Sequence, residues 1–344
     1  MIFPKFIKPG DTIAVTALSR GMEEETERVR FMSAKAALEK RGYNVIFTDN
    51  VFTENDRFGR SSSATEKARQ FNELVKNPEV TAIYSAGGGD FLAEILPYID
   101  AESFAEHPKW IQGFSDNTSI LYYLATRYDV ATAYGANFGD FGMETWDKSV
   151  VNGFGVIDGS VRTQTSFDTF QDGFGRHETG LEGYREDGRV EWKNVCGEKA
   201  GRITMEGRLL GGCMDVIMNI SGTPYDGTKE FIERYKDDGI IWYLESFSIQ
   251  YEQLMEYFWK MKEMGWFRYT KGIIFGRPLF YNTEGFDGSP LPTYEEIIHE
   301  RLDELNVPII MDADIGHKGP QFVMINGAMA HIESEGGKGS CTYM

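Results

Sequence analysis

An α/β protein of two domains, the first built on a parallel sheet, is what the sequence predicts. Three observations carry this. Short apolar runs alternate with longer segments whose apolar residues recur at helical spacing, which is the pattern of strands joined by crossover helices. The chain has 344 residues, 41% of them hydrophobic, which is ample for a core and long for one domain. After Tyr134-Gly135-Ala136-Asn137-Phe138-Gly139 the texture changes: Gly, Asp, Glu and Thr crowd in, and long apolar runs thin out until about residue 207. The expected division is an N-terminal domain over 1–140, linker and variable loops over 141–206, and a C-terminal domain, rich in strands, over 207–344.

The elements follow in order. Pro9-Gly10-Asp11 turns into an apolar strand over 12–18. Val29, Met32, Ala36 and Leu38 among charges predict a helix over 23–40, which Gly42 ends before a strand over 43–47. Ala68, Phe71, Leu74 and Val75 share one face of a helix over 64–75, and a third strand runs over 80–85. Trp110, Ile111 and Phe114 form a short strand that stops at Ser115, and Ile120, Leu121 and Leu124 resume at helical spacing. A short helix fits within 144–157. In the second half, a double glycine precedes an apolar helix within 207–222, and a strand over 240–244 ends at Glu245. A strongly amphipathic helix spans 250–264, a strand spans 272–275, and a helix spans 294–305. A strand over 307–311 leads into a loop over 312–320, and two tightly joined strands, 322–327 and 329–333, close the chain.

Composition removes several function classes. The net charge is −18 and no basic tract is present, so nucleic acid is a poor partner. The odd number of cysteines, Cys196, Cys213 and Cys341, widely spaced, fits a reducing compartment and no zinc-ligand spacing. The opening residues carry no long apolar region with a cleavage site, and no run of 18 apolar residues occurs to span a membrane. A cytoplasmic protein is the expectation.

Parallel sheets bind ligands at the carboxyl ends of their strands, and two such ends carry unusual residues. Gly87-Gly88-Gly89-Asp90 follows the third strand; bare glycine N–H groups there allow close approach of a ligand, or simply a tight turn capped by Asp90. Ser115 stands at a strand-to-helix bend, where an exposed hydroxyl meets the free N–H groups of a helix start. Ser-Asp-Asn-Thr is equally an ordinary helix cap. Further on, Glu245 ends a buried strand, where a carboxylate needs a partner, and His317 sits in Gly-His-Lys-Gly-Pro. Ser, Glu and His in that order match hydrolases on α/β sheets, with serine as nucleophile, histidine as base and glutamate orienting the imidazole. A loop histidine that only bonds its surroundings remains the plain alternative.

These motifs together resemble the serine LD-carboxypeptidase family, peptidase family S66, which includes muramoyltetrapeptide carboxypeptidases and microcin C immunity proteins. The resemblance rests on K-P-G-D-T-I-A-V near the start, S-A-G-G-G-D at Ser85 to Asp90, G-F-S-D-N-T at Gly113 to Thr118, and G-R-L-L-G-G at Gly207 to Gly212. It continues with G-T-P-Y-D from Gly222, L-E at Leu244 and Glu245, G-R-P at Gly276 to Pro278, and D-A-D-I-G-H-K-G-P from Asp312. It implies a flavodoxin-like N-terminal domain, a β-rich C-terminal domain, a homodimer, and chemistry without metal or cofactor. It also implies Ser115 as nucleophile, Glu245 as acid, His317 as base, and the N–H groups of Gly88 and Asp116 as oxyanion donors. Gly87, Gly212, Cys213 and Trp192 are the residues expected to touch substrate.

One departure stands out. The family usually reads Gly-Gly-Asn where this chain has Gly211-Gly212-Cys213, and a thiol cannot replace an amide's donor and acceptor. The substrate implied is a small peptide or an aminoacyl-nucleotide, cut at a C-terminal amide. The long insertion over 140–207 resembles that of the peptidyl-nucleotide branch, where Trp192 either stacks on the base or simply packs within the loops; murein tetrapeptides are the other branch. A non-catalytic two-lobed binding protein is the rival from another class, and an α/β-hydrolase esterase is disfavoured because Asn117 stands where that elbow needs glycine.

Overall fold

The computed structural model describes residues 1–175, 177–196 and 201–344. The strands and helices of the first 135 residues alternate as the periodicity predicts. They are β1 (Thr12–Thr16), α1 (Glu25–Lys40), β2 (Asn44–Phe47), α2 (Ala64–Lys76), β3 (Val80–Ser85), α3 (Ala101–Glu106), β4 (Trp110–Gly113), α4 (Thr118–Tyr128) and β5 (Thr132–Tyr134). Each strand is flanked by helices that return the chain to the same edge, so β2-β1-β3-β4-β5 lie side by side and parallel. That order is the flavodoxin-like doubly wound one. A sixth strand joins β5 antiparallel and comes from far down the chain: β14 (Met324–Asn326).

The second half begins with α5 (Lys148–Asp158), β6 (Thr163–Thr165), and a two-stranded ribbon of β7 (Thr169–Phe170) and β8 (Gly188–Arg189). Then come β9 (Lys193–Cys196), β10 (Arg202–Cys213), α6 (Met214–Ile220), α7 (Thr228–Arg234), β11 (Ile240–Glu245), α8 (Tyr251–Glu263) and β12 (Thr270–Gly276). The chain ends with α9 (Tyr294–Leu302), β13 (Ile309–Ala313), β14, β15 (Met329–Glu335) and β16 (Lys338–Tyr343). A mixed sheet runs β6-β16-β15-β10-β11-β12-β13-β9, parallel from β10 to β13 and antiparallel toward both edges.

Two placements differ from a reading by consecutive segments. The 141–206 stretch, expected as a linker of strands and long loops, supplies both edge strands of the second sheet, β6 and β9. Each is too short to show a period by itself, and pairing rather than propensity makes it a strand. The closing strands are joined tightly as expected, yet they part company: β14 goes to the first sheet and β15 to the second. Gly327 at positive φ makes the turn between them.

The two sheets share one core. Helix α4 is buried on every side from Thr118 to Thr126, because it lies between the first sheet and β10, α6 and α7 of the second half. Asn326 on β14 bonds across the join: its Oδ1 accepts from Gly211 N–H at 3.0 Å and from the Tyr243 hydroxyl at 2.7 Å. Its Nδ2 donates to Thr132 Oγ1 at 3.3 Å. A buried amide with partners on both sheets fixes their relative position more specifically than apolar packing alone.

Candidate active site

The site is assembled at strand ends. Phe114, after β4, is extended, and Ser115 then takes φ +64°, the left-handed region that a side chain rarely adopts. A single turn over Ser115–Asn117 leads into α4. Such an elbow costs about 1–3 kcal/mol and persists only where its surroundings hold it. Here Asn117 holds it: its Nδ2 donates to Phe114 O at 2.9 Å and to Gly87 O at 3.1 Å, tying the elbow to the glycine loop. Ser115 N–H donates to the Tyr134 hydroxyl at 3.3 Å. The glycine loop approaches so closely that a Cβ on Gly88 would stand 3.2 Å from both Cβ and Oγ of Ser115.

From the second sheet, β10 and β11 run in register so that Cys213 pairs with Glu245 at their carboxyl ends. Glu245 is fully buried. His317 follows β13 in the loop over 312–320, and Gly316 before it has φ +93°. A Cβ on Gly316 would lie 2.6 Å from the Glu245 carboxylate, so only glycine lets the imidazole reach that acid. Arg277 clamps the loop on both sides of His317. It donates to Asp312 O at 2.8 Å, to Lys318 O at 3.4 Å, and to the buried Asp314 carboxylate at 2.7 Å.

Across the two sheets the three residues form one series. His317 Nδ1 stands 2.8 Å from Glu245 Oε2, and His317 Nε2 stands 3.0 Å from Ser115 Oγ. With the Nδ1 proton donated to the carboxylate, Nε2 is left to accept from the serine hydroxyl. The other Glu245 oxygen accepts from the Tyr134 hydroxyl. Burial pushes the Glu245 carboxyl up, but the charge and hydrogen bond of His317, with the Tyr134 and Cys213 contacts, outweigh it and hold the carboxyl below its ordinary value. Burial and then the Glu245 charge push the Tyr134 phenol well above 10, so it stays a donor.

The series opens into a cavity of about 720 Å³ between the two sheets. Of the residues singled out in the sequence, Ser115, His317, Gly87, Gly88, Asp116 and Cys213 line it, and Glu245 sits directly behind His317. Gly212 does not line it: that residue packs against Thr118 at the start of α4. Trp192 does not line it either, and of the two readings of that residue its surroundings fit packing rather than stacking. Its ring is 2% exposed, packs on Phe322, and donates from Nε1 to Asp314 Oδ2 at 3.1 Å. It is a core residue under the His317 loop. A tryptophan in a polar stretch reads as exposed until the strand beside it is seen to pair with β13. Cys213 is 1% exposed, and burial with the Glu245 and Asp215 charges pushes its thiol well above its ordinary value.

Sequence reasoning passed over Tyr134, behind the cavity, and Phe247, Phe174 and His177, which line it. Tyr134 closes the series from the first sheet, and no local pattern marks it. Phe247 packs on the His317 ring with centroids 4.9 Å apart. Phe174, on the insertion, lines the cavity while 59% exposed. His177 also lines it and stands 3.5 Å from Glu182; burial lowers its pKa. The Asp116 side chain is engaged away from the opening, accepting from Ser19 Oγ at 2.5 Å and Leu92 N–H at 2.8 Å. Burial raises its pKa against those bonds.

Fold and site together define an α/β protein in which a strained strand-end serine, a histidine and a buried glutamate meet between two sheets. The sequence places it more narrowly. The family profiles described as the LD-carboxypeptidase N-terminal domain and C-terminal domain match residues 13–135 and 206–332, and the chain belongs to that family, peptidase family S66. The microcin C7 self-immunity protein MccF of Escherichia coli is 25% identical over 94% of this chain and 91% of its own. The crystal structure of an MccF-like protein from Bacillus anthracis superposes with TM-score 0.81 at 23% identity, covering 100% of this chain and 99% of that one. MccF in complex with aspartyl sulfamoyl adenosine superposes with TM-score 0.79 at 22% identity, covering 100% and 99%. Among the described residues no helix is long and apolar enough to cross a membrane.

Proposed function

We propose that this chain is a metal-independent serine hydrolase that cleaves a C-terminal amide of an aminoacyl- or peptidyl-nucleotide. The observation that carries the reading is the unbroken Ser115–His317–Glu245 series opening into the cavity. Ser115 Oγ attacks the carbonyl carbon while His317 Nε2 takes the hydroxyl proton. Glu245 keeps the proton on Nδ1 and stabilises the imidazolium that forms. The N–H groups of Gly88 and Asp116, beside Ser115 in the cavity lining, are the donors for the tetrahedral oxyanion. His317 then protonates the leaving nitrogen, the C–N bond breaks, and water attacks the acyl-serine by the same route in reverse.

Two observations support a nucleotide on the leaving side. The exposed ring of Phe174 at the cavity, packed with Phe247 and Phe280, offers a face for a planar base. The relative with the same fold has been crystallised with aspartyl sulfamoyl adenosine. The family's description as LD-carboxypeptidases favours a second substrate, a murein tetrapeptide cut before its terminal D-residue. Mass spectrometry after incubation with aspartyl sulfamoyl adenosine and, separately, with an L-Ala-D-Glu-diamino acid-D-Ala peptide decides between them. Release of the sulfamoyl nucleoside, abolished in Ser115→Ala, is expected. Cleavage of the tetrapeptide alone transfers the reading to the second substrate, and turnover retained in folded Ser115→Ala removes the nucleophile.

A further inference from the structure

None of the residues that draw attention at the far edge of the second sheet lines the active cavity. There, Cys196 ends β9, and His299 and Asp303 stand four residues apart at the end of α9. We infer that Cys196, His299 and Asp303 form a binding site for one zinc-type divalent cation, which clips the edge strand β9 to α9.

The geometry points to a metal. Cys196 Sγ lies 2.8 Å from Asp303 Oδ1, and His299 Nδ1 lies 3.0 Å and 3.2 Å from the two Asp303 oxygens. One donor atom from each of the three falls within 4.8 Å of the others. A tetrahedral zinc with bonds of about 2.0–2.3 Å keeps its donors roughly 3.3–3.7 Å apart. The Cys196–Asp303 and His299–Asp303 pairs therefore need to spread by less than about 1 Å to hold the ion. Spacing of four residues puts His299 and Asp303 on one helix face, and Cys196 comes from a strand, so the set is convergent. The His299 and Asp303 side chains are 42% and 52% exposed, which leaves a fourth position to water. Thiolate with imidazole and carboxylate suits zinc-like ions; magnesium and calcium take oxygen alone. No ligand spacing is visible in the sequence, because the cysteine and the helix pair are joined only by folding.

The test is a zinc titration of reduced, tag-free protein against a chromophoric chelator, with Co²⁺ as spectroscopic probe. The expected result is one ion per chain with micromolar or tighter affinity. A thiolate-to-cobalt charge-transfer band should appear and be absent in Cys196→Ser. Cys196→Ser and His299→Ala should each weaken zinc by more than about tenfold. Circular dichroism checks that both variants fold, and hydrolysis should be unchanged in both. No binding below about 100 μM, or zinc affinity and a cobalt spectrum unaltered in Cys196→Ser, overturns the site. These outcomes are independent of the Ser115 reading.

Discussion

Tyr134 is the residue on which the two halves of the site meet. Its hydroxyl accepts from Ser115 N–H and donates to Glu245, so it holds both the strained elbow and the acid. Tyr134→Phe leaves a buried carboxylate oxygen short of a bond, at about 1.5–3 kcal/mol for a hydrogen bond to a charged group. We expect kcat to fall about tenfold to a hundredfold with KM little changed; an unaltered kcat would make the tyrosine a packing residue only. Glu245 bears on the pH profile. Its carboxyl is held below its ordinary value, so it stays ionised wherever imidazoles titrate. The acid limb of log(kcat/KM) should therefore rise with slope one, and a slope of two would show that Glu245 takes up a proton in the same range. At the mouth, Phe174→Ala should raise KM for the nucleotide substrate by about tenfold to a hundredfold, the worth of one stacked base. A murein peptide has no base to lose, and equal losses on both substrates would assign Phe174 to loop support.

Among elements, the loop over 312–320 decides whether the imidazole arrives. Arg277 grips it from β12's end, and Trp192 lies beneath it with Asp314 between them. Burial pushes the Asp314 carboxyl up, while Arg277 pulls it back. Trp192→Ala removes a core side chain and a donor to this carboxylate. The expected cost is about 3–5 kcal/mol of unfolding free energy. Urea denaturation should show it, and losses in rate should be the same for nucleotide and peptide substrates. A stable variant with a selective defect on nucleotides would return Trp192 to the site.

For the molecule as a whole, the family resemblance implies a homodimer, and a candidate face is visible. Phe3, Phe6 and Met344, 49%, 61% and 64% exposed, rim a hollow of about 360 Å³ beside α5 and β15. A chain of charge −18 repels its copies at long range, so association needs an apolar contact of this kind. Sedimentation should give a dimer that Phe6→Glu shifts toward monomer. A monomeric wild type would dispose of the homodimer, and a dimer indifferent to Phe6→Glu would place its face elsewhere.

The alternation of strands and helices through β4 and α4 is written in the residues, because a period of two or of 3.6 is a local property. The residues also mark the serine elbow and the glycine turns, whose backbone demands show in residue type. Ser115, Glu245 and His317 were legible as candidates for the same reason: each ends a strand or sits in a glycine-flanked loop. That they meet depends on the tertiary fold: the Ser115–His317 bond joins the two sheets across 202 residues of chain, and the His317–Glu245 bond joins two strand ends of the second sheet across 72. The tertiary fold likewise sent β14 to one sheet and β15 to the other, drew β6 and β9 out of a stretch without period, and exchanged Trp192 for Phe174 at the cavity. Short edge strands and aromatic rings take their place from what they pack against, and that partner is absent from any local window of sequence.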